Sequence, residues 1–126
     1  MNEARINAYL DSNELINCVA VHHCDNNAYI VLDIMDQGSM NKICERGFRE
    51  YSEDFCRYTL YKVALGLKKM HKNNVLHRDI KSDNILFSAD GEVKITDMGF
   101  ACTLSEQRCN RDTKLGTQHW VAPEIM

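Results

Sequence analysis

The chain has 126 residues, of which 44% are hydrophobic and 26% are charged, a composition typical of one soluble globular domain. Its formal net charge of -3 at pH 7 leaves no electrostatic footprint for a polyanion, so no nucleic acid is expected as a partner. The first residues, MNEARINAYL, lack the apolar run of a signal peptide, and no stretch approaches membrane-spanning length. We therefore expect a soluble, intracellular, cytoplasmic protein without a membrane span.

The first part of the chain predicts the end of a helix followed by a β-hairpin. Residues 2 to about 12 fit a helix end, and residues 15–21 are apolar enough for a strand. The polar turn CDNN then leads into residues 28–34, a β-branched and aromatic run that fits a second, antiparallel strand.

Two serines are typical of the N-caps of two helices. Ser39 predicts a short helix through Cys44, because a serine hydroxyl can accept a hydrogen bond from a free amide of the first turn. Ser52, followed by two acidic residues, begins the longest predicted helix, which Asn73-Asn74 ends. The apolar residues of this helix recur at near-helical spacing and predict one buried face: Phe55, Leu60, Val63, Leu67 and Met70.

The second half of the chain predicts a charged loop between short strands. Residues 75–76 and 85–87 are apolar pieces on either side of the stretch HRDIKSDN, and the turn SADGE leads to another apolar piece at 93–95. From Thr96 the periodicity ends, and a long irregular segment in a compact domain is usually a functional loop or disordered.

The cysteines show no C-x-x-C pair and mostly lie within apolar or helical patterns, so free buried thiols are favoured over disulfides or zinc ligands. His22, His23 and Cys24 form the one compact cluster of ligand-type side chains. Because paired spacing is missing there, a strand end that runs into a turn is favoured over a zinc site.

The charged stretch carries side chains that suit phosphoryl transfer. Asp79 and Asn84 lie five residues apart, and Asp97 follows one strand pair later, so a loop and the end of a hairpin could bring them together. Mg²⁺ binds through a few oxygen ligands, usually together with substrate phosphates. Lys81 would add positive charge where a transferring phosphoryl group develops negative charge.

Three motifs resemble the signature of the eukaryotic protein kinases. H-R-D-x-K-x-x-N lies at 77–84, D-x-G at 97–99 and A-P-E at 122–124, in the order of that family. Lys81 in HRDIKSDN resembles serine/threonine kinases rather than tyrosine kinases. The stretches LGTQHWVAPE and IVLDIMDQGSM resemble the sterile group, especially its p21-activated branch.

The resemblance implies an α+β, protein-kinase-like fold of which this chain would hold a middle part. Residues 1–32 would be an N-lobe remnant with the end of helix C and two strands, and residues 33–38 would be the hinge. Residues 39–126 would be the first part of the mostly helical C-lobe, with the catalytic loop at 77–84 and the activation segment at 97–124.

The resemblance also implies roles for the charged residues. Asp79 would orient and deprotonate the substrate hydroxyl, and Lys81 would contact the γ-phosphate of ATP. Asn84 and Asp97 would hold Mg²⁺. Thr117 would link the substrate-binding loop to Asp79 and Lys81.

For the adenine of ATP, the matching positions lie in and beside the hinge. Leu32 falls at the gatekeeper position, and Asp33 and Met35 would offer hinge backbone groups to the adenine. Leu86 would form the floor under the ring. Each apolar position could equally be plain core.

Two further positions match regulatory residues of the family. Thr113 matches the activation-loop threonine, which an upstream activating kinase would phosphorylate, and its phosphate could pair with Arg78 and order the loop. An ordinary exposed threonine fits the sequence equally well. Glu3 falls where the family has the helix glutamate that pairs with the ATP-binding lysine.

The chain also departs from the family pattern. No G-x-G and no V-A-I-K lysine precede the first strand, and two residues follow Glu124. Met98 replaces the phenylalanine of D-F-G, and Gln118 and His119 replace Pro-Tyr. The expected function is a serine/threonine protein kinase of intracellular signalling, which phosphorylates a protein substrate on Ser or Thr. The alternative is a kinase-like chain that acts as a non-catalytic binding module or decoy.

Overall fold

The computed structural model describes residues 6, 9–47, 51–104 and 116–125. Ile6 and residues 9–10 are helical, as expected for a helix that ends before Ser12. Within the described part of the chain, no helix combines the length and the apolar character needed to cross a membrane.

The predicted antiparallel hairpin is confirmed and consists of β1 (Cys18–Cys24) and β2 (Asn27–Leu32). Asp25 and Asn26 form its turn with φ of +46° and +66°, the left-handed conformation that tight two-residue hairpin turns use. The first strand lies later in the chain than the predicted 15–21, since the residues before Cys18 turn into the core instead.

Both predicted helix starts are confirmed in α1 (Met40–Glu45) and α2 (Glu53–Lys72). The hydroxyl of Ser39 accepts a hydrogen bond from a first-turn amide of α1 at 3.4 Å, and that of Ser52 does the same for α2 at 3.1 Å. α2 ends as predicted, and Asn74 takes φ of +58°, which an α-helix cannot continue.

The predicted buried face of α2 is wrong at Leu60, whose side chain is 68% exposed. Thr59 and Gly66 are buried in its place, together with Met70. Positions 59, 66 and 70 follow one stripe at helical spacing, whereas Leu60 is rotated from it by roughly 100°. The other predicted members of the face, Phe55, Val63 and Leu67, are partly buried against the core.

The other strands among the described residues are short: β3 (Gly38–Ser39), β4 (Val75–Leu76), β5 (Ile85–Phe87), β6 (Val93–Ile95) and β7 (Cys102–Thr103). They form a three-stranded antiparallel sheet in the order β3-β5-β6 and a separate antiparallel pair of β4 with β7. Short 3₁₀ segments lie at Ser82–Asn84, Met98–Phe100 and Pro123–Ile125.

The core joins α2 and β6 to the segment that precedes β1. Leu15 forms a parallel bridge with Ile95, which accepts a hydrogen bond from the Ile16 amide at 2.9 Å and donates one to the Glu14 carbonyl at 2.9 Å. A Cβ on Gly66 would lie 2.9 Å from Ile95 Cδ1 and 3.2 Å from the Glu14 carbonyl oxygen, so a larger residue would make one of these groups shift. The largest fully buried side chains are Leu10, Leu15, Ile16, Met70, Val75, Ile95 and Met98.

The expectation of free, buried cysteines is wrong in two respects. Cys18, Cys24, Cys44 and Cys56 are free, but Cys18 is half-buried and the other three are exposed. Cys102 is buried but disulfide-bonded. The exposed thiols lie at a strand end and on outer helix faces, where an apolar sequence context does not guarantee burial.

The cluster of His22, His23 and Cys24 is the end of β1, followed directly by the turn, as favoured from the sequence. Over the described ranges, no group of three His, Cys, Asp or Glu side chains is placed to hold a metal ion.

Candidate active site

The charged stretch forms a loop whose ends are anchored in the core. β4 precedes it and β5 follows it, and Val75, Ile85 and Phe87 of these strands are buried. Within the loop, Arg78 adopts φ of +70°, a conformation that costs energy for a residue other than glycine. The apolar flanks thus hold a polar loop in a backbone path that it would not adopt alone.

Asp79 is the centre of the hydrogen-bond network, and it is only 3% exposed. Its Oδ1 accepts hydrogen bonds from the backbone N–H of Thr117 at 3.1 Å and from the Thr117 hydroxyl at 2.8 Å. Its Oδ2 lies 2.8 Å from the ammonium of Lys81 and accepts a longer bond from the Asn84 amide nitrogen at 3.3 Å. Both carboxylate oxygens are therefore held in place.

Thr117 and Lys81 close a ring with Asp79. The Lys81 ammonium donates to the Thr117 hydroxyl at 2.9 Å, while that hydroxyl donates its own proton to Asp79. Burial raises the pKa of Asp79, but the bonds from Lys81 and Thr117 together outweigh burial and hold this pKa below its usual range. The hydrogen bond to Asp79 raises the pKa of Lys81. Both groups are thus charged at neutral pH.

His77 connects the loop to Thr96, the residue between β6 and Asp97. Its Nδ1 accepts a hydrogen bond from the Asp79 backbone N–H at 3.2 Å, which assigns the ring proton to Nε2. Nε2 then donates to the Thr96 carbonyl at 3.0 Å. The ring is 2% exposed, and this burial lowers the pKa of His77, so the imidazole is neutral at pH 7.

Asn84 and Asp97 have the chemistry that a magnesium site needs. The amide nitrogen of Asn84 donates to the Asp79 carbonyl at 2.8 Å, which turns the amide oxygen away from Asp79. The Asn84 carbonyl accepts a bond from the Thr96 N–H at 3.0 Å, so the backbone beside Asp97 is tied to Asn84. Asp97 has φ of +63°, and its Oδ1 accepts a bond from the Gly99 N–H at 3.2 Å. The Asn84 amide oxygen and the Asp97 carboxylate are ligands of the type that Mg²⁺ binds, and the hydrogen bonds described above hold both side chains.

The residues expected near adenine lie in the hairpin, in the central strand of the three-stranded sheet and in the segment between the hairpin and β3. Leu32, the last residue of β2, and Leu86 in β5 are both half-buried. The Asp33 N–H donates to the Asn17 carbonyl at 3.2 Å, and the Met35 carbonyl accepts a bond from the Gly38 N–H at 3.1 Å. Since β3 begins at Gly38 and pairs with β5, Leu86 lies in the strand next to the end of the predicted hinge.

Of the residues matched to regulation, only Arg78 is described. Its Nε donates to the Phe100 carbonyl at 2.6 Å, which ties the loop of Asp79 to the segment after Asp97. Glu3 and Thr113 lie outside the described residues.

Two residues contribute to the site without having been assigned a role from the sequence. His77 joins Asp79 to Thr96, and the only signal for this was a histidine next to an apolar pair. Gly116 has φ of +123°, and a Cβ there would lie 3.2 Å from Val121. A glycine directly before Thr117 therefore allows the turn that brings Thr117 to Asp79.

A profile of the protein kinase domain matches residues 1–126. The chain belongs to the protein kinase family. It is similar to the serine/threonine-protein kinase CLA4 of Candida albicans, with 40% identity over 102 residues, which are 81% of this chain and 10% of that protein. It is also similar to STE20 of Yarrowia lipolytica, with 36% identity over 114 residues, or 89% of this chain and 10% of that protein.

The similarity extends to pakA of Talaromyces marneffei, another serine/threonine-protein kinase, with 41% identity over 98 residues, which are 78% of this chain and 15% of that protein. The expected resemblance to the sterile group and its p21-activated branch is thereby confirmed. This kinase chain spans between 10% and 15% of the length of these three relatives.

Proposed function

We propose that this chain carries the catalytic centre of a serine/threonine protein kinase, which transfers the γ-phosphoryl group of ATP to a Ser or Thr hydroxyl of a protein. The observation that carries the proposal is the ring of Asp79, Thr117 and Lys81, which holds a buried carboxylate and an ammonium side by side. The relatives named above are serine/threonine-protein kinases, which supports the same reaction.

In the proposed mechanism, Asp79 orients the substrate hydroxyl towards the γ-phosphorus. The hydroxyl oxygen forms the new P–O bond, the bond between the γ-phosphorus and the β,γ-bridging oxygen breaks, and ADP leaves with that electron pair. The hydroxyl proton passes to the Asp79 carboxylate. Lys81 neutralises charge on the transferring group, and its contact with Thr117 keeps it at the required position.

Asn84 and Asp97 would hold the magnesium ion of this reaction. When bound, Mg²⁺ neutralises charge on the phosphates of ATP and aligns them. The link between the Asn84 carbonyl and Thr96 would keep the two ligands at a fixed separation. For the adenine, we assign backbone groups of Asp33 and Met35, with Leu32 and Leu86 as apolar contacts of the ring.

The proposal includes a protein substrate, an intracellular location where ATP is supplied, and control by an upstream kinase. A phosphate on Thr113 would pair with Arg78, whose Nε already contacts the segment after Asp97 through Phe100. Mass spectrometry of the protein from cells tests this switch. A Thr113 that is never modified would contradict it.

The central test measures transfer of radiolabelled γ-phosphate from MgATP to a basic protein substrate. Asp79→Asn is expected to lower the rate by about 100-fold or more, because it removes the group that orients and accepts from the hydroxyl. Asp83→Asn is the matched control, since Asp83 is exposed in the same loop and undergoes the same chemical change.

Asp83→Asn is expected to retain activity. Equal rates for the unchanged chain and Asp79→Asn would remove Asp79 from the mechanism. No transfer by the unchanged chain would overturn the proposal for this chain.

A further inference from the structure

Lys94 carries a buried positive charge in the strand beside Leu86. It is the middle residue of β6, in which every residue is buried, and it is only 6% exposed. Its ammonium lies 2.7 Å from Oδ2 of Asp33 and 3.7 Å from Oε2 of Glu92. A buried ammonium is strongly destabilising unless a carboxylate is paired with it, so the partners of Lys94 indicate its role.

The close partner, Asp33, is the first residue of the hinge. Its Oδ2 also accepts hydrogen bonds from the Asn17 side chain at 2.9 Å and from the Asn17 backbone N–H at 3.4 Å. The Asp33 N–H returns a bond to the Asn17 carbonyl at 3.2 Å. The hydrogen bond from Lys94 is the main reason that the pKa of Asp33 lies below its usual range, so the carboxylate is charged at neutral pH.

This cluster lies at the base of the β1–β2 hairpin. Asn17 directly precedes β1 and Asp33 directly follows β2, while the side chains further along both strands are mostly exposed. Lys94 belongs to β6, which the backbone bond between Ile16 and Ile95 also ties to this base. The ion pair therefore joins the hairpin to the part of the molecule that carries the catalytic loop.

The other end of the hinge is fixed by different bonds. The Gln37 N–H donates to the Phe87 carbonyl at 3.1 Å, and the Asp36 carboxylate accepts a bond from the Ala89 N–H at 2.7 Å. Between the two attachments, Ile34 is 88% exposed, so packing does not hold the middle of the hinge in place. The position of this short segment depends on its two ends.

We propose that Lys94 is a positioning residue, whose ion pair with Asp33 fixes the first end of the hinge against β6. The backbone groups of Asp33 and Met35 are thereby held where an adenine ring would meet them. This last step rests on the proposed function, whereas the attachment of the hinge does not. Replacement of a buried ion pair by hydrophobic residues is often neutral for stability. The specific contribution of this pair is therefore the position that it gives to the backbone at Asp33.

The test measures amide hydrogen exchange by NMR in the whole chain. Lys94→Met keeps the length and apolar stem of the side chain but removes the ammonium. It is expected to accelerate exchange at the Asp33 and Ile16 amides by roughly tenfold, since the base of the hairpin opens more easily, and to leave the amides of α2 unchanged. Lys94→Arg is expected to restore slow exchange.

Glu92→Gln is the matched control, because Glu92 is the distant, exposed carboxylate near the same ammonium. It is expected to leave the Asp33 amide unaffected. Unchanged exchange at Asp33 in Lys94→Met would overturn the proposal, and so would equal acceleration throughout α2, which would indicate a general loss of stability.

Calorimetric titration with MgATP separates this proposal from the function on which it rests. We expect Lys94→Met to raise the Kd for MgATP and Lys94→Arg to restore it. Equal Kd values for Lys94→Met and the unchanged chain would overturn the adenine step. If the unchanged chain binds no MgATP, the proposed function fails for this chain, and the exchange rates still decide whether Lys94 holds the hinge.

Discussion

Asp79 receives hydrogen bonds on both carboxylate oxygens, and these bonds lower the basicity of the carboxylate. Donors from Thr117, Lys81 and Asn84 stabilise its charged form, which makes it a weak proton acceptor at neutral pH. In phosphoryl transfer, the hydroxyl proton does not need to be removed before the new P–O bond has largely formed. For the proposed kinase reaction, we therefore expect Asp79 to act mainly by orienting the substrate hydroxyl.

The hydroxyl of Thr117 allows a direct test of this network. Thr117→Ala removes one donor to Asp79 and one acceptor for Lys81, so we expect the pKa of Asp79 to rise and the free energy of unfolding to fall by about 1–2 kcal/mol. Thr117→Ser keeps the hydroxyl and should behave like the unchanged chain. The carboxyl chemical shift of Asp79 during an acid titration measures the pKa. An unchanged pKa in the alanine variant would contradict the ring.

The buried His77 is expected to make the free energy of unfolding depend on pH. Burial holds its pKa in the folded chain below the ordinary value of about 6.5, so below that pH the unfolded chain binds a proton that the folded chain does not. The free energy of unfolding should therefore fall as the pH drops below about 6.5, by at most about 1.4 kcal/mol per pH unit from this group. At higher pH this contribution is constant.

Denaturant unfolding at a series of pH values measures this dependence. His77→Asn is expected to be less stable, because it loses the bond to Thr96, and to show a flatter pH curve. His23→Asn, a change of an exposed histidine in β1, controls for the loss of a histidine as such. A pH curve of His77→Asn parallel to that of the unchanged chain would show that His77 is not the responsible group.

Among the elements, α2 depends on a glycine in its buried stripe. A Cβ at Gly66 would lie 2.9 Å from Ile95 Cδ1 and 3.2 Å from the carbonyl oxygen of Glu14, which is itself held by a backbone bond. Alanine in a helix gains about 1 kcal/mol over glycine, but overpacking costs about 1–3 kcal/mol. Because the Glu14 carbonyl cannot move cheaply, we expect Gly66→Ala to destabilise the chain by about 1–2 kcal/mol.

Thermal and urea unfolding measure this change. Ala64→Gly, at an exposed position of the same helix, measures the difference in helix propensity between alanine and glycine without the contacts made at Gly66. An increase in stability for Gly66→Ala would mean that the segment before β1 shifts away from α2 at little cost.

Over the whole molecule, the features that could be predicted are those formed by residues close together in the sequence. The caps at Ser39 and Ser52 and the turn of Asp25 and Asn26 follow from local chemistry, and each is present. The face of α2 was predicted less well, because apolar spacing does not distinguish Leu60 from Thr59 without knowledge of what packs against the helix.

In the candidate site too, contacts between residues close in sequence could be predicted, and contacts between distant residues could not be predicted from spacing. The spacing within the HRDIKSDN stretch indicates that Asp79 and Asn84 lie together, and they do. Thr117 lies 38 residues from Asp79, and only its family motif suggested the contact. The pair of Lys94 and Asp33 spans 61 residues and was not predicted, since an isolated lysine in a strand usually faces water. The functional roles of these residues stay predictions.

Local stability is expected to differ between the hairpin and the core of the molecule. Beyond its base, the β1–β2 hairpin exposes most side chains on both faces, whereas α2 and β6 contribute fully buried residues to the core. A two-stranded hairpin without such burial is only marginally stable, so we expect its amides near Cys24 and Asn27 to exchange at least about 100-fold faster than those of Met70 and Ile95. NMR hydrogen exchange measures both groups in one sample. The amides beside Cys18 and Leu32 should be intermediate, because the base is attached to β6. Exchange near the turn as slow as in α2 would mean that the hairpin opens only when the whole chain unfolds.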